Sequence, residues 1–341
     1  MNTAARPSGP REALFEDGEA ARALPVCDHY SGVEPRMRKS LELQAEFGPV
    51  FDVTLDGEDG APVGGEHEHA LLMCELVNSP ANRFGRVGVR VPPVDHPAFE
   101  PMVDTVVQRA GARLAYLMIP KPRGLAELQR AVDAIDAASR AAALVQPIPL
   151  QALVETHGAL REVQALAAHP RIESLSFGLM DFVSAHRGAI PASAMSSSGQ
   201  FEHPLVLRAK LEIAAACHAF GKTPSHCVVT EFKDEAALSA AATKASRQLG
   251  YTRMWSIHPA QVRIIVDAFA PGVAEVDMAI EILLAAQAAD WAPIRHRDTL
   301  HDRASYRYFW QLLQRAHQTS YAGGAQLPAE VRQAFFSPEP G

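Results

Sequence analysis

Short β-rich apolar runs recur along the chain at fairly even intervals, and each is followed by a longer Ala/Leu/Glu/Arg-rich stretch of helical spacing. The runs are Leu24–Cys27, Phe51–Leu55, Val87–Val91, Ala115–Ile119, Leu150–Val154, Ser174–Phe177, Cys227–Thr230 and Arg253–Ile257. This βα alternation predicts a parallel sheet, and eight runs predict a closed (β/α)8 TIM barrel. An open Rossmann sheet would begin with a glycine-rich turn into a helix, and neither GxGxxG nor GxxxxGKS/T occurs. Residues 124–143 and 205–220 repeat apolar positions at helical spacing, the second stopped by Gly221, so their faces should pack on the barrel exterior. The Glu66-His67-Glu68-His69 run, flanked by glycines, predicts a solvated turn, and Ser196-Ser197-Ser198-Gly199-Gln200 a mobile loop.

Three segments result: an N-terminal arm over 1–23, the barrel over 24–271, and a C-terminal helical segment over 272–341. The last holds a helix from about Val273 to Ala289 and a charged run, Arg295, His296, Arg297, Asp298, His301, Asp302 and Arg303. An aromatic stretch follows, Tyr306, Tyr308, Phe309 and Trp310. A barrel needs none of this, and a lid or an oligomer contact would use it.

With 48% hydrophobic and 21% charged residues, the 341-residue chain can bury a full core. A net charge of −7 gives no positive field for a phosphate backbone, so nucleic acid is not an expected partner. Cys27, Cys74, Cys217 and Cys227 show neither CxxC nor zinc-finger spacing and are expected as reduced thiols of a cytoplasmic protein. No export signal appears in the first 23 residues. Ile280–Ala289 is interrupted by Glu281 and Gln287 and is too short to span a bilayer, so no membrane role follows.

Catalytic groups of such a barrel sit where strands end, and the strand ends here are acidic. Carboxylates crowded at one mouth repel unless a cation stands among them. Two carboxylates from separate strands suit magnesium, which keeps waters and takes substrate oxygens, and Glu155 and Asp181 are the chosen pair. Alternatively, they cap the helices that follow. Arg90 can present a planar fork to a substrate carboxylate, or form a salt bridge with Glu58 or Asp59; all three belong to the candidate catalytic set. Lys121 could form an imine with a carbonyl substrate or neutralise the acidic ring. Arg36, Arg38 and Lys39 form a basic patch suited to a phosphate or to a solvated helical turn; Arg36 and Lys39 are carried as substrate-binding candidates.

Six strand-end segments together resemble the HpcH/HpaI aldolase and citrate lyase β-subunit superfamily. They are Leu55-Asp56-Gly57-Glu58-Asp59-Gly60, Val89-Arg90-Val91-Pro92, Pro120-Lys121-Pro122, Val154-Glu155-Thr156-His157-Gly158, Phe177-Gly178-Leu179-Met180-Asp181 and Ile257-His258-Pro259-Ala260-Gln261. The resemblance spans about residues 24 to 271. It implies a trimeric or hexameric Mg²⁺-dependent lyase acting on hydroxy-dicarboxyl thioesters such as malyl, citramalyl or citryl groups on CoA or a carrier protein. It also implies Glu155 and Asp181 as metal ligands and Arg90 at the oxo-acid carboxylate and carbonyl. Backbone N–H groups around Leu179, Met180 and Asp181 would hold the other end of that acid. Asp298-Thr299-Leu300-His301-Asp302 resembles a diverged copy of the family's lid, contributed by a neighbouring subunit, with Asp302 as the acid near the thioester enolate. Departures from the family lie in Asp28-His29-Tyr30-Ser31-Gly32 after the first strand and in Gly57-Glu58-Asp59-Gly60 after the second. A malyl-thioester thioesterase and a non-catalytic dicarboxylate-binding homologue are the alternatives.

Overall fold

The computed structural model describes residues 9–15, 23–321, 324 and 326–336. The chain forms two compact units, residues 24–269 and residues 1–23 together with 270–341. The first is a closed barrel of eight parallel strands: β1 (Cys27–Ser31), β2 (Phe51–Asp56), β3 (Val87–Arg90), β4 (Leu117–Ile119), β5 (Leu150–Val154), β6 (Ile172–Phe177), β7 (Thr223–His226) and β8 (Arg253–Ser256). Each pairs with the next in sequence, and Cys27 closes the ring by lying beside both Phe51 and Met254. Helices between the strands bury their apolar faces, as Leu125–Ala141 does with Leu128, Ala131, Val132 and Ile135.

Two strands differ from the apolar runs. The run Leu24–Cys27 leads into β1 and the run Cys227–Thr230 follows β7, while the strands themselves read CDHYS and TPSH. The cause is a polar barrel interior. Asp28 accepts hydrogen bonds from Thr54 (2.7 Å) and Tyr116 (3.0 Å), and Arg253 reaches Asp28 (3.1 Å) and donates to Asp52 (2.6 Å). Asp28, Asp52 and Arg253 are wholly buried, which ionised groups tolerate only when paired. Gly88 makes room for this layer, because a Cβ there would stand 2.3 Å from the Tyr116 ring.

The Glu66–His69 run is not a turn but the opening of a helix, Glu66–Asn78. Gly65, at φ 74°, takes the left-handed conformation that ends the loop, and Glu66 and Glu68 occupy the first helical turn, where negative charge is favoured. His69 bonds to the Asp56 carbonyl (2.8 Å). The serine-rich segment is built too, as two short 3₁₀ turns, Ala192–Met195 and Gly199–Phe201. Gln200 anchors it: wholly buried, it accepts from Lys210 Nζ (2.6 Å) and Cys227 Sγ (3.0 Å). All four cysteines are free thiols.

The second unit joins the helix Pro10–Leu14 to the helices Val273–Ala288, Arg303–Gln318 and Ala329–Phe335. Residues 1–8 and 16–22 of the expected arm lie outside the described residues. Leu14 packs in one core with Ile282, Leu283, Tyr306, Trp310, Leu313 and Val331, and Arg307 Nε donates to the Leu14 carbonyl (2.7 Å). Of the aromatic stretch, Tyr306 and Trp310 are therefore buried within this unit, whereas Tyr308 is exposed. The charged run forms an antiparallel hairpin, β9 (Ile294–His296) and β10 (Thr299–His301), turned by Arg297 and Asp298 at positive φ. Among the described residues, no helix is long and apolar enough to cross a membrane.

Candidate active site

The period of two that places Thr54 inside the barrel also turns Asp56 inward at the end of β2, where it meets Arg90 at the end of β3. Asp56 is the organiser of this corner. Its Oδ1 accepts from Arg90 Nε (2.7 Å) and the Glu58 N–H (2.9 Å), and its Oδ2 from Arg90 Nη2 (2.5 Å) and the Gly60 N–H (2.9 Å). One carboxylate thus fixes both the arginine and the turn after β2. Arg90 Nη1 lies 2.9 Å from Glu58 Oε2, and the guanidinium sits over the Tyr30 ring at 5.3 Å. The salt bridge expected as the alternative for Arg90 exists to Glu58, while Asp56, not expected from the sequence as a partner, takes Nε and Nη2 and is the main anchor of the guanidinium.

Lys121, after β4, pairs with Glu58 (2.6 Å), Asp59 (2.8 Å) and Asp181 (3.6 Å). Against the burial that would lower it, these hydrogen bonds hold its ammonium well above the ordinary lysine range. Imine formation needs a neutral amine, so the geometry gives Lys121 the neutralising role. Its backbone, at φ 50°, turns its N–H onto Glu155 Oε1 (2.9 Å).

Glu155, past β5, is buried, and among the described residues no cationic side chain lies within ion-pairing distance of it. Burial, then the charge of Asp181, pushes its carboxyl up to about 8. Gly178 permits the approach of β6, since a Cβ there would stand 2.0 Å from Glu155 Oε2. Leu179, Met180 and Asp181 form the first turn of the short helix Leu179–Ser184, where N–H groups lack helical partners. A buried, charge-strained carboxyl beside a half-exposed one fits a divalent cation, which would relieve both. Among the described residues no three His, Cys, Asp or Glu side chains are arranged to hold a metal ion by themselves, so with two protein ligands water and substrate would fill the remaining shell, as magnesium prefers.

These groups line a cavity of about 390 Å³ at the C-terminal mouth of the barrel, with Asp56, Asp59, Arg90, Glu155 and Asp181 on one side. Tyr30, Val228, Trp255 and Ile257 form the opposite wall, and Arg36 stands exposed at the rim. Lys39 lies apart, paired with Glu42 on the exposed face of its helix, and Arg38 is held by Glu34 and Glu75. Asp302 belongs to the other unit, where Oδ1 caps the helix Arg303–Gln318 by accepting from Ala304 N–H (3.0 Å). The organising role of Asp56 and the Tyr30–Trp255 wall escaped the reading of the sequence. A strand-end acid two residues before Glu58 was the available signal for the first.

A family model described as HpcH/HpaI aldolase/citrate lyase matches residues 50–259. The crystal structure of a citrate lyase from Burkholderia xenovorans LB400 is 54% identical in sequence, with a TM-score of 0.82 over 96% of this chain and 100% of that one. An L-malyl-CoA/β-methylmalyl-CoA lyase of Cereibacter sphaeroides is 29% identical over 75% of this chain and 83% of its own. The CitE protein of Mycobacterium tuberculosis, crystallised with magnesium, acetoacetate and coenzyme A, shares the fold at 19% identity and a TM-score of 0.65, over 86% of this chain and 98% of that one.

Proposed function

Since the chain belongs to the HpcH/HpaI aldolase/citrate lyase family, we propose that it is a divalent-metal-dependent carbon–carbon lyase. It would cleave, or in reverse form, a 3-hydroxy-dicarboxyl thioester such as a malyl, citramalyl or citryl group on CoA or a carrier, giving an oxo-acid and an acyl thioester. The observation that carries this reading is the Glu155–Asp181 pair facing Arg90 across one cavity.

Glu155 and Asp181 would hold Mg²⁺, which supplies Lewis acidity to the hydroxyl and carboxylate oxygens of the oxo-acid half. Arg90, fixed by Asp56, directs its free N–H groups at the oxygen on which charge develops as the carbon–carbon bond breaks. Lys121 keeps Glu58 and Asp59 paired and so keeps unneutralised negative charge away from the incoming anion. The N–H groups of Leu179, Met180 and Asp181 would donate to the far carboxylate oxygen. Asp302 is assigned the proton returned to the acyl enolate, its Oδ2 taking no part in the helix cap. We place the enzyme in the cytoplasm as a homotrimer or hexamer.

Incubation with Mg²⁺ and malyl-, citramalyl- and citryl-CoA should release an oxo-acid from at least one of them, and EDTA should stop it. Free CoA with intact hydroxy acid would make it a thioesterase. Metal-independent turnover, with borohydride trapping an adduct on Lys121, would refute the metal route.

A further inference from the structure

Both carboxylates assigned to the metal are carried by short pieces of helix. Glu155 precedes Thr156, which caps the five-residue helix His157–Arg161 by accepting from the Ala159 N–H (3.0 Å). Asp181 lies in the six-residue helix Leu179–Ser184. Isolated helices are marginal in water below about 12 residues, so packing decides where these two pieces, and the carboxylates with them, stand. Glu155 Oε1 is fixed directly, by the Lys121 N–H (2.9 Å). The Asp181 carboxylate meets Lys121 Nζ at 3.6 Å and takes its place from the helix that bears it.

Two imidazoles fasten that helix to the segment after Glu155. His157 Nε2 lies 3.1 Å from the Ala185 carbonyl oxygen, and His186 Nδ1 lies 2.6 Å from that of Phe182. A carbonyl only accepts, so each of these nitrogens carries a proton and donates it. The two rings meet edge to face with centroids 4.5 Å apart. His186 packs in turn on Phe182 (4.6 Å), and Phe182 on Phe177 (5.3 Å), the last residue of β6. The Ala185 N–H donates to the Asp181 carbonyl (2.9 Å). A continuous run of contacts thus joins the second residue after Glu155 to Asp181 and to Phe182 beside it.

Neither imidazole borders the cavity at the barrel mouth. Both line a separate pocket of about 240 Å³, with Leu160, Arg161 and Arg208. His157 is exposed and His186 half-buried, a placement in which hydrogen bonds add little to folding stability.

We propose that His157 and His186 are positioning residues of the metal site. They clamp the Asp181 helix against the turn that follows Glu155, set the spacing of the two carboxylates, and so govern affinity for the divalent cation without touching ion or substrate. The inference rests on the assignment of Glu155 and Asp181 as metal ligands.

Calorimetric titration of the metal-stripped protein with Mg²⁺ at fixed pH reads the effect without turnover. His157→Leu removes the donor and should weaken Mg²⁺ binding on the order of tenfold, the lower end of what groups that orient metal ligands contribute. His157→Gln sets an amide N–H near the place of Nε2 and should return most of that loss. His186→Phe keeps the ring contact without the bond to the Phe182 carbonyl and should fall between the two. In thioester cleavage, His157→Leu should need more Mg²⁺ yet reach a kcat close to the parent's once Mg²⁺ saturates, and its urea midpoint should stay near the parent's.

Unchanged Mg²⁺ affinity in His157→Leu and His186→Phe, with Glu155→Gln abolishing binding, overturns the clamp and leaves the metal assignment standing. A loss that follows a fall in the urea midpoint and is not recovered by His157→Gln gives the imidazoles to structure alone and also overturns it. Mg²⁺ binding indifferent to Glu155→Gln and Asp181→Asn overturns the metal assignment, and the clamp with it.

Discussion

Asp56 accepts four hydrogen bonds, two from the Arg90 guanidinium and two from the backbone of the turn after β2, and it is buried. Asp56→Asn keeps the shape and one acceptor oxygen, while the amide presents N–H groups to donors that formerly met oxygen. Breaking a buried pair by removing one partner costs about 3–5 kcal/mol, and the oxygen that Asn retains places this change near ~3 kcal/mol. Arg90 then loses its fixed aim, which should cost about 2–4 kcal/mol of transition-state stabilisation, or roughly 30- to 1000-fold in kcat/KM. Urea unfolding followed by circular dichroism measures the first quantity and steady-state cleavage of the best thioester the second. Amide hydrogen exchange at Glu58 and Gly60, both capped by Asp56, should accelerate in the variant. Stability within 1 kcal/mol of the parent with kcat/KM within about threefold would refute the idea that Asp56 holds the corner together.

Arg90→Lys retains charge but neither the two-point bond to Asp56 nor the spare N–H pair, and should lose about 2 kcal/mol or more in kcat/KM; near-native kinetics would assign Arg90 to structure alone. Glu155, pushed up to about 8, must lose a proton to bind a cation, so Mg²⁺ affinity measured by calorimetry should rise about tenfold per pH unit between pH 6 and 8. The same raised value means that the folded, metal-free protein holds a proton the unfolded chain has released. Its thermal stability should therefore fall between about pH 4.5 and 8, and saturating Mg²⁺ should abolish that slope. Lys210, lowered to about 8 by burial, has the opposite sign: the unfolded chain binds the extra proton, so stability should rise from pH 8 towards 10.5, and Lys210→Met should flatten that rise in denaturant titrations. If Asp302 acts on a neighbouring subunit, Asp302→Asn mixed with Arg90→Ala should regain activity once subunits exchange; no regain despite proven exchange would confine it to its own subunit.

The sequence carried the barrel because most of its strands are apolar, and β5 begins and ends where the apolar run does. It misplaced β1 and β7 because their side chains join a buried ionic and polar layer, so hydrophobic periodicity marks the neighbouring loops instead. Asp28 and Arg253 stand far apart in sequence, and only closure of the ring reveals that each neutralises the other. At the site, the acidic strand ends were plain, and Glu155, Asp181, Arg90 and Lys121 do converge. Which acid serves which cation was not legible. Arg90 has several acids within a few residues of its mouth position, and the choice of Asp56 follows from strand register.

The second unit is assembled from both ends of the chain, with the barrel residues uninterrupted between them in sequence. Leu14 leaves the ribosome well before its packing partners, which begin at Ala279. At about 5–20 residues per second the intervening roughly 260 residues take on the order of 15 to 50 seconds. The nascent barrel, whose residues are contiguous, can close as soon as β8 emerges. The Leu14 helix must wait with its apolar side unmatched, and the last-made helices seal that unit. Synthesis therefore imposes an order, barrel first and flanking unit last, that thermodynamics alone would not.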